Sequence, residues 1–270
     1  MTAIRPLPLA RALAWSLLGA LAALAFFACL WKGAVGLVVG GLLATLWVIL
    51  VFAWRDAQKD DLALLERIQG RVAQQDPVLR LAVALAQPIR SIVLAMPIPA
   101  LTRRFDGWSL YEPGHLPPQA QAHAVQLLNE WRAQVREAAS EALPFDDFAS
   151  LATLLLDAPL DAPHEWTAET SARLCWRLNL LLCGIETGAL SADAGRTLLA
   201  PAVHALQSHH ADWAGYAADL QQQRWDFVRR NAWGVAAMGV QFKDLFGKPL
   251  SPWALTPLKL PLKLPLKSPH

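Results

Sequence analysis

Apolar positions run without interruption twice at the start of the chain, from Ala12 to Trp31 and again from Ala34 to Trp54, with only Lys32 and Gly33 between them. Each run has the roughly twenty uncharged residues that an α-helix needs to cross about 30 Å of hydrocarbon. The pattern predicts a transmembrane helical hairpin over 12–54, following a short cytoplasmic N-terminus over 1–11. A cleaved signal peptide fits less well, because the first run is longer than an ordinary signal core and the second follows at once. Beyond Trp54 the polar run Arg55 to Asp61 marks the membrane exit, and Leu62, Leu65, Ile68 and Val72 recur at helical spacing, so the second helix is expected to continue.

Helical spacing dominates the remainder, and no convincing alternation of the strand type occurs, which makes the class all-α. Residues 55–101 read as juxtamembrane helices. Asp76 followed by Pro77 is an N-cap with proline at the first helical position, and Pro88 is expected to kink or end that helix. The stretch 78–101 is apolar enough to suggest a third span, but Arg80, Gln87 and Arg90 interrupt it, and it reads as an amphipathic segment packed on the body or lying in the membrane interface. Turn formers over 102–118 predict a loop or linker. A helical domain follows over 119–250, with stripes at Val125, Leu128, Trp131 and Val135 and at Phe148, Leu151 and Leu155. Thr167 is placed to cap a helix that carries Glu169 and Arg173 as an i, i+4 pair and is apolar around most of its girth, hence central; Gly188 ends it. Ser191 and Asp212 are placed to cap two more helices, the second running to Phe227. The tail is placed over 251–270, and from Pro257 it repeats Pro-Leu-Lys every four residues, which prevents a helix and favours extended polyproline II.

Charge refines this layout. The chain carries a net +2, but three cations without an acid precede residue 55 and three more lie in the tail, so the body between them is mildly acidic. A nucleic-acid footprint would put a basic stripe on that body, and nucleic acid is disfavoured as a partner. Arg5 and Arg11 before the hairpin and Arg55, Lys59, Arg67 and Arg71 after it, against Lys32 alone in the turn, predict that both termini face the cytoplasm. Trp15, Trp31 and Trp54 suit a membrane–water interface. Gly36 and Gly40 form a G-x-x-x-G step, with Gly19 and Ala23 opposite, that serves packing within the hairpin or a homodimer through it. Lys259, Lys263 and Lys267 are placed for contact with anionic lipid.

Signals for chemistry are sparse. His204, His209 and His210 do not have the i, i+3 or i, i+4 spacing of two metal ligands on one helical face, and His164-Glu165 has no second histidine at the required place. The acidic pairs Asp60-Asp61 and Asp146-Asp147 point about 100° apart on a helix, which suits solvation better than catalysis. Neither a phosphate-binding glycine loop nor a G-x-S-x-G elbow is present, and no cofactor is expected. The three cysteines fit a reducing compartment, since Cys175 and Cys183 would lie about 12 Å apart on one helix, beyond disulfide reach, and Cys29 falls within the first span.

Residues 171–227 carry a resemblance. Arg173, Asn179, Gly188, the Ser191-Ala-Asp helix start, the Leu206-Gln207 step, Trp213 and the pair Arg224-Trp225 resemble the carboxyl half of a bacterial all-helical domain-of-unknown-function family. The sequence departs from that pattern where an aspartate usually precedes the arginine by three residues, having Thr170 there and Glu169 one step earlier. The resemblance implies a helical domain and brings no activity with it; it singles out Glu169, Arg173, Trp213, Arg224 and Trp225 as structural residues or a pocket. The function expected from these features is a membrane-anchored, non-enzymatic helical protein that binds a protein partner at the cytoplasmic face of a bacterial inner membrane. An immunity or accessory protein of a contact-dependent toxin system is an alternative. A hydrolase or nucleotide-handling enzyme is another, for which Glu169, Arg173 and Arg224 would have to converge.

Overall fold

A computed structural model describes residues 9–30, 34–96, 98–99, 107–138, 166–222 and 232–262. Every described regular element is helical, and the chain divides into two compact units, residues 1–69 with 101–104 and residues 70–100 with 105–270.

In the first unit, α1 (Leu9–Leu30) and α2 (Ala34–Ala73) are both long and apolar enough to cross a membrane. The apolar side chains turn outward: only 11% of the spanning window of either helix is buried, and Leu17, Leu18, Leu21, Phe26, Leu42 and Leu46 are exposed. In water such a surface would be costly, whereas in hydrocarbon it is solvated. Small residues bring the two helices together. A Cβ on Gly40 would lie 3.3 Å from Phe27 Cβ and 3.4 Å from Leu24 Cα, and one on Gly19 would collide with the Trp47 indole. Gly36 is buried as well. Gly19 and Gly40 therefore serve packing within the hairpin. At 40 residues, α2 is about 60 Å long, twice the hydrocarbon thickness, and it continues past Arg55 without a break, as expected.

The second unit is built around α3 (Pro77–Val93) and α5 (Ala168–Glu186), which pack on one another. Around them lie α4 (Pro118–Ala138), α6 (Ala192–His209), α7 (Trp213–Gln222), α8 (Ala232–Gly247) and the single turn α9 (Pro252–Leu255). The caps are local and match the sequence: Asp76 accepts from Val78 and Leu79, Thr167 from Thr170 and Ser191 from Ala194. Gly188 closes α5 with φ +76°, its amide bonding to Ile185 O.

Four expectations change. Of the two places expected for the stretch 78–101, its helix over 77–93 takes the one on the body, and more deeply than an amphipath would, since every side chain from Leu81 to Ser91 is buried. A helix buried all round belongs in a core, and Ala82, Ala84 and Ala86 let neighbours approach closely. Second, Pro88 does not end it. Proline removes the amide that Ala84 O would accept from, and the indole Nε1 of Trp253 donates to that carbonyl at 2.8 Å instead. The next carbonyl, Leu85 O, accepts from Tyr216 Oη at 2.8 Å and Cys175 Sγ at 3.3 Å. Third, the buried line of α4 runs through Ala120, Ala124 and Leu128, while Val125 faces out, because the alanines permit the closer approach. Fourth, the tail does not begin at residue 251: Trp253, Leu255 and Leu258 are buried, Trp213 Nε1 donates to Thr256 O, and Gln207 Nε2 donates to Leu258 O at 3.0 Å. Within the loop, Arg71 forks onto Glu112 through Nε and Nη2, and its guanidinium lies 3.9 Å over the Trp108 ring. Phe148, Leu151, Leu155 and Phe227 lie outside the described residues.

At the α3–α5 interface Arg90 and Glu186 form an ion pair with both side chains fully buried. Burial would lower the Arg90 pKa, but Glu186 and Cys183 carry it above its ordinary value; burial pushes the Glu186 carboxyl up, with Arg90 drawing it partly back. Arg90 Nε and Nη1 and Glu186 Oε2 have no hydrogen-bond partner among the described residues.

Candidate functional site

Chemistry-bearing side chains converge at the junction of α5, α6 and α7. Helix α6 ends at His209, and His210, its C-cap, leaves the helix with φ −89° and ψ 134°. Two successive histidines are thereby turned across one another, ring centroids 4.7 Å apart and planes nearly perpendicular. Asp212 Oδ1 accepts from Gly215 N at 2.9 Å and starts α7, whose second turn brings Asp219 to the same place. Ser171 comes from the first turn of α5, and Trp166 from just before its cap.

Hydrogen-bond bookkeeping sets the protons. Ser171 Oγ donates its one proton to Asp219 Oδ2 at 2.7 Å and accepts from Trp166 Nε1 at 2.9 Å. The 3.0 Å contact between Ser171 Oγ and His210 Nε2 then requires His210 to donate. His210 Nε2 lies 3.6 Å from Asp219 Oδ2. His210 is buried against Tyr216, while His209 is exposed and stacked on Trp166 with centroids 4.2 Å apart. Burial lowers the His210 pKa and favours the neutral ring; Asp219 and Asp212 act the other way, and His209 and Lys259 reinforce the lowering. Burial also pushes the Cys175 thiol up to about 12 and the Tyr216 phenol well above its usual range.

This is not a nucleophile relay. In a serine relay the carboxylate holds the ring nitrogen remote from the serine, whereas here Ser171 and Asp219 face the same nitrogen and Ser171 is fully buried. The arrangement instead offers ligand atoms: His209, His210 and Asp219 each place one within 4.8 Å of the others, the separation at which a cation can be held. The helical-spacing argument does not reach this group, because His210 is no longer helical and the third member belongs to another helix.

Of the residues singled out by family resemblance, the described ones do not form one cluster. Glu169 and Arg173 form an exposed i, i+4 pair at 3.3 Å on the outer face of α5. Trp213 is a structural residue, stacked on Trp253 with centroids 4.8 Å apart and bonded to Thr256 O at 3.0 Å. Arg224 and Trp225 lie outside the described residues, as do Trp31, Lys263 and Lys267, His164-Glu165, Asp146-Asp147 and the side chain of Cys29. Lys259 is exposed and donates to Gln207 O. Trp15 and Trp54 are exposed and, with Trp47, Leu50 and Val51, line an apolar groove of about 490 Å³ on the hairpin. No family model, curated protein or solved structure matches the chain.

Proposed function

We propose that the chain is a membrane-anchored, non-enzymatic helical protein that holds a protein partner at the cytoplasmic face of a bacterial inner membrane. The observation that carries this reading is the outward-facing apolar surface of α1 and the first half of α2, which water would not tolerate and lipid would. The grooved tryptophan end of the hairpin, with Trp15 and Trp54 exposed, suits the headgroup level. The cations that flank both ends of the hairpin favour cytoplasmic termini.

The body supports a binding role more than a catalytic one. Several of its polar side chains tie distant segments together: Tyr111 donates to Leu250 O, Arg80 to Leu255 O and Thr256 Oγ1, and Lys248 to Ile98 O. Such a frame is suited to presenting a rigid surface.

Topology and partnership are tested on the full chain. The protein should stay with membranes through alkaline carbonate extraction, and a reporter that works only in the cytoplasm should be active when joined after residue 270. Release by carbonate would refute the anchor, and activity of an external reporter at the same position would refute the orientation. Cross-linking in intact membranes should yield one discrete heteromeric species. A monomer alone, or a dimer of this chain alone, would refute the partner.

A further inference from the structure

The crossing of α5, α6 and α7 carries three potential ligands that the anchor and scaffold reading does not use. We propose that His209, His210 and Asp219 form a binding site for a first-row divalent cation of the zinc class.

Three observations support it. The first is spacing. A tetrahedral ion with bonds of about 2.0–2.2 Å sets its ligand atoms roughly 3.3–3.6 Å apart, and His210 Nε2 and Asp219 Oδ2 stand 3.6 Å apart while all three groups fall within 4.8 Å. The remaining closure falls to His209, whose exposed ring can rotate inward. The second is the donor set. Two imidazoles and one carboxylate match zinc, cobalt and nickel better than the all-oxygen sites of calcium or magnesium. Three protein ligands leave a fourth position for water, on the side from which exposed His209 admits an ion.

The third observation is the shell behind the ligands. A metal site works when its ligands are oriented before the ion arrives. Tyr216 packs edgewise on His210, and Ser171 holds Asp219 while its own position is set by Trp166 Nε1. Ser171 and Tyr216 belong to two of the helices that cross here, and both are fully buried, so the shell is part of the core. Asp212 adds negative field and Lys259 opposes it.

Binding has a defined proton consequence. Without an ion, His210 donates from Nε2 to Ser171. Coordination takes Nε2 in its unprotonated form, so the ring proton moves to Nδ1, the Ser171–His210 bond is lost, and Ser171 keeps its bond to Asp219. A ring already protonated releases its extra proton to solvent, and affinity therefore falls as the medium becomes acidic.

The test uses the full chain in detergent, with Zn²⁺ competed against a chromogenic chelator and Co²⁺ followed by its visible absorption. The wild type should take up one Zn²⁺ per chain at micromolar protein and give the intense bands of a four-coordinate Co²⁺ site. His209→Ala removes an exposed ring, and Asp219→Asn keeps an oxygen to accept from Ser171; each should fold, as checked by its melting curve, and weaken Zn²⁺ at least about tenfold. His204→Ala, on the same helix but outside the group, should bind as the wild type does. Absence of a stoichiometric wild-type site, a loss smaller than tenfold in either ligand variant, or an equal loss in His204→Ala would overturn the proposal.

Discussion

Replacing Glu186 with glutamine would leave the Arg90 guanidinium charged in a core where neither side chain has any exposed surface. The size of the penalty follows from what remains. Two opposite charges about 4 Å apart at an effective dielectric of about 20 attract by about 4 kcal/mol. Glutamine still offers Arg90 a carbonyl oxygen, but Arg90 Nε and Nη1 already lack acceptors, so no neighbour stands ready to take over. Removing one member of a buried pair typically costs about 3–5 kcal/mol. With a urea dependence of about 2 kcal/mol per molar, that is a midpoint shift of roughly 1.5–2.5 M, read by far-ultraviolet circular dichroism on the full chain in detergent. The companion variant Arg90→Met with Glu186→Leu removes both charges and should recover the wild-type midpoint or exceed it, because the pair must repay the desolvation of two ions before it stabilises anything. If Glu186→Gln unfolds the body outright, the double variant still answers the question. A single variant within about 1 kcal/mol of wild type, or a double variant no better than the single, would refute the account.

Ala95 stands in the left-handed region with φ +51°, closing α3 as glycine usually would, its amide on Ile92 O and that of Met96 on Ser91 O. Ala95→Gly should stabilise the body by about 0.5–1 kcal/mol, the conformational relief of about 1–2 kcal/mol less the added unfolded-chain entropy, and a lower melting temperature would count against it. Cys175 and Cys183 are buried, each thiol pushed up to about 12 by that burial, so neither should react with a maleimide at pH 8 until denaturant is added; labelling of either in the native protein would contradict the packing. His210, with its folded pKa lowered by burial, contributes stability that is present above its unfolded value near 6.5 and is lost as the pH falls through the lower folded value. Denaturation midpoints measured with chelator present should fall over that range, and His210→Asn should flatten the dependence; an unchanged slope would assign the acid sensitivity to other groups.

Local physics is legible along the chain, and it accounts for the hairpin, the all-helical class, the starts of α3, α5 and α6 and the end of α5. Run length sets a span, a hydroxyl or carboxylate before a helix satisfies its first amides, and Gly188 takes a positive φ without a Cβ penalty; each needs only near neighbours in sequence. What the sequence could not specify is which distant groups meet. Arg80, Gln87 and Arg90 made α3 look partly wet, yet it is the core, because the charge of Arg90 is neutralised by a residue 96 positions away. Pro88 looked like a stop, yet Trp253 supplies the hydrogen bond that the proline ring removes. The tail looked detached at residue 251, yet its first residues complete the packing of α3 and α7. Helical spacing spoke against His209 and His210 as ligands, because it presumes one continuous helix, and the residue that leaves the helix is the one that turns toward Asp219. Short-range preferences choose the elements, while the match of buried polar groups across helices decides the core and the site, and that match exists only once the helices have packed.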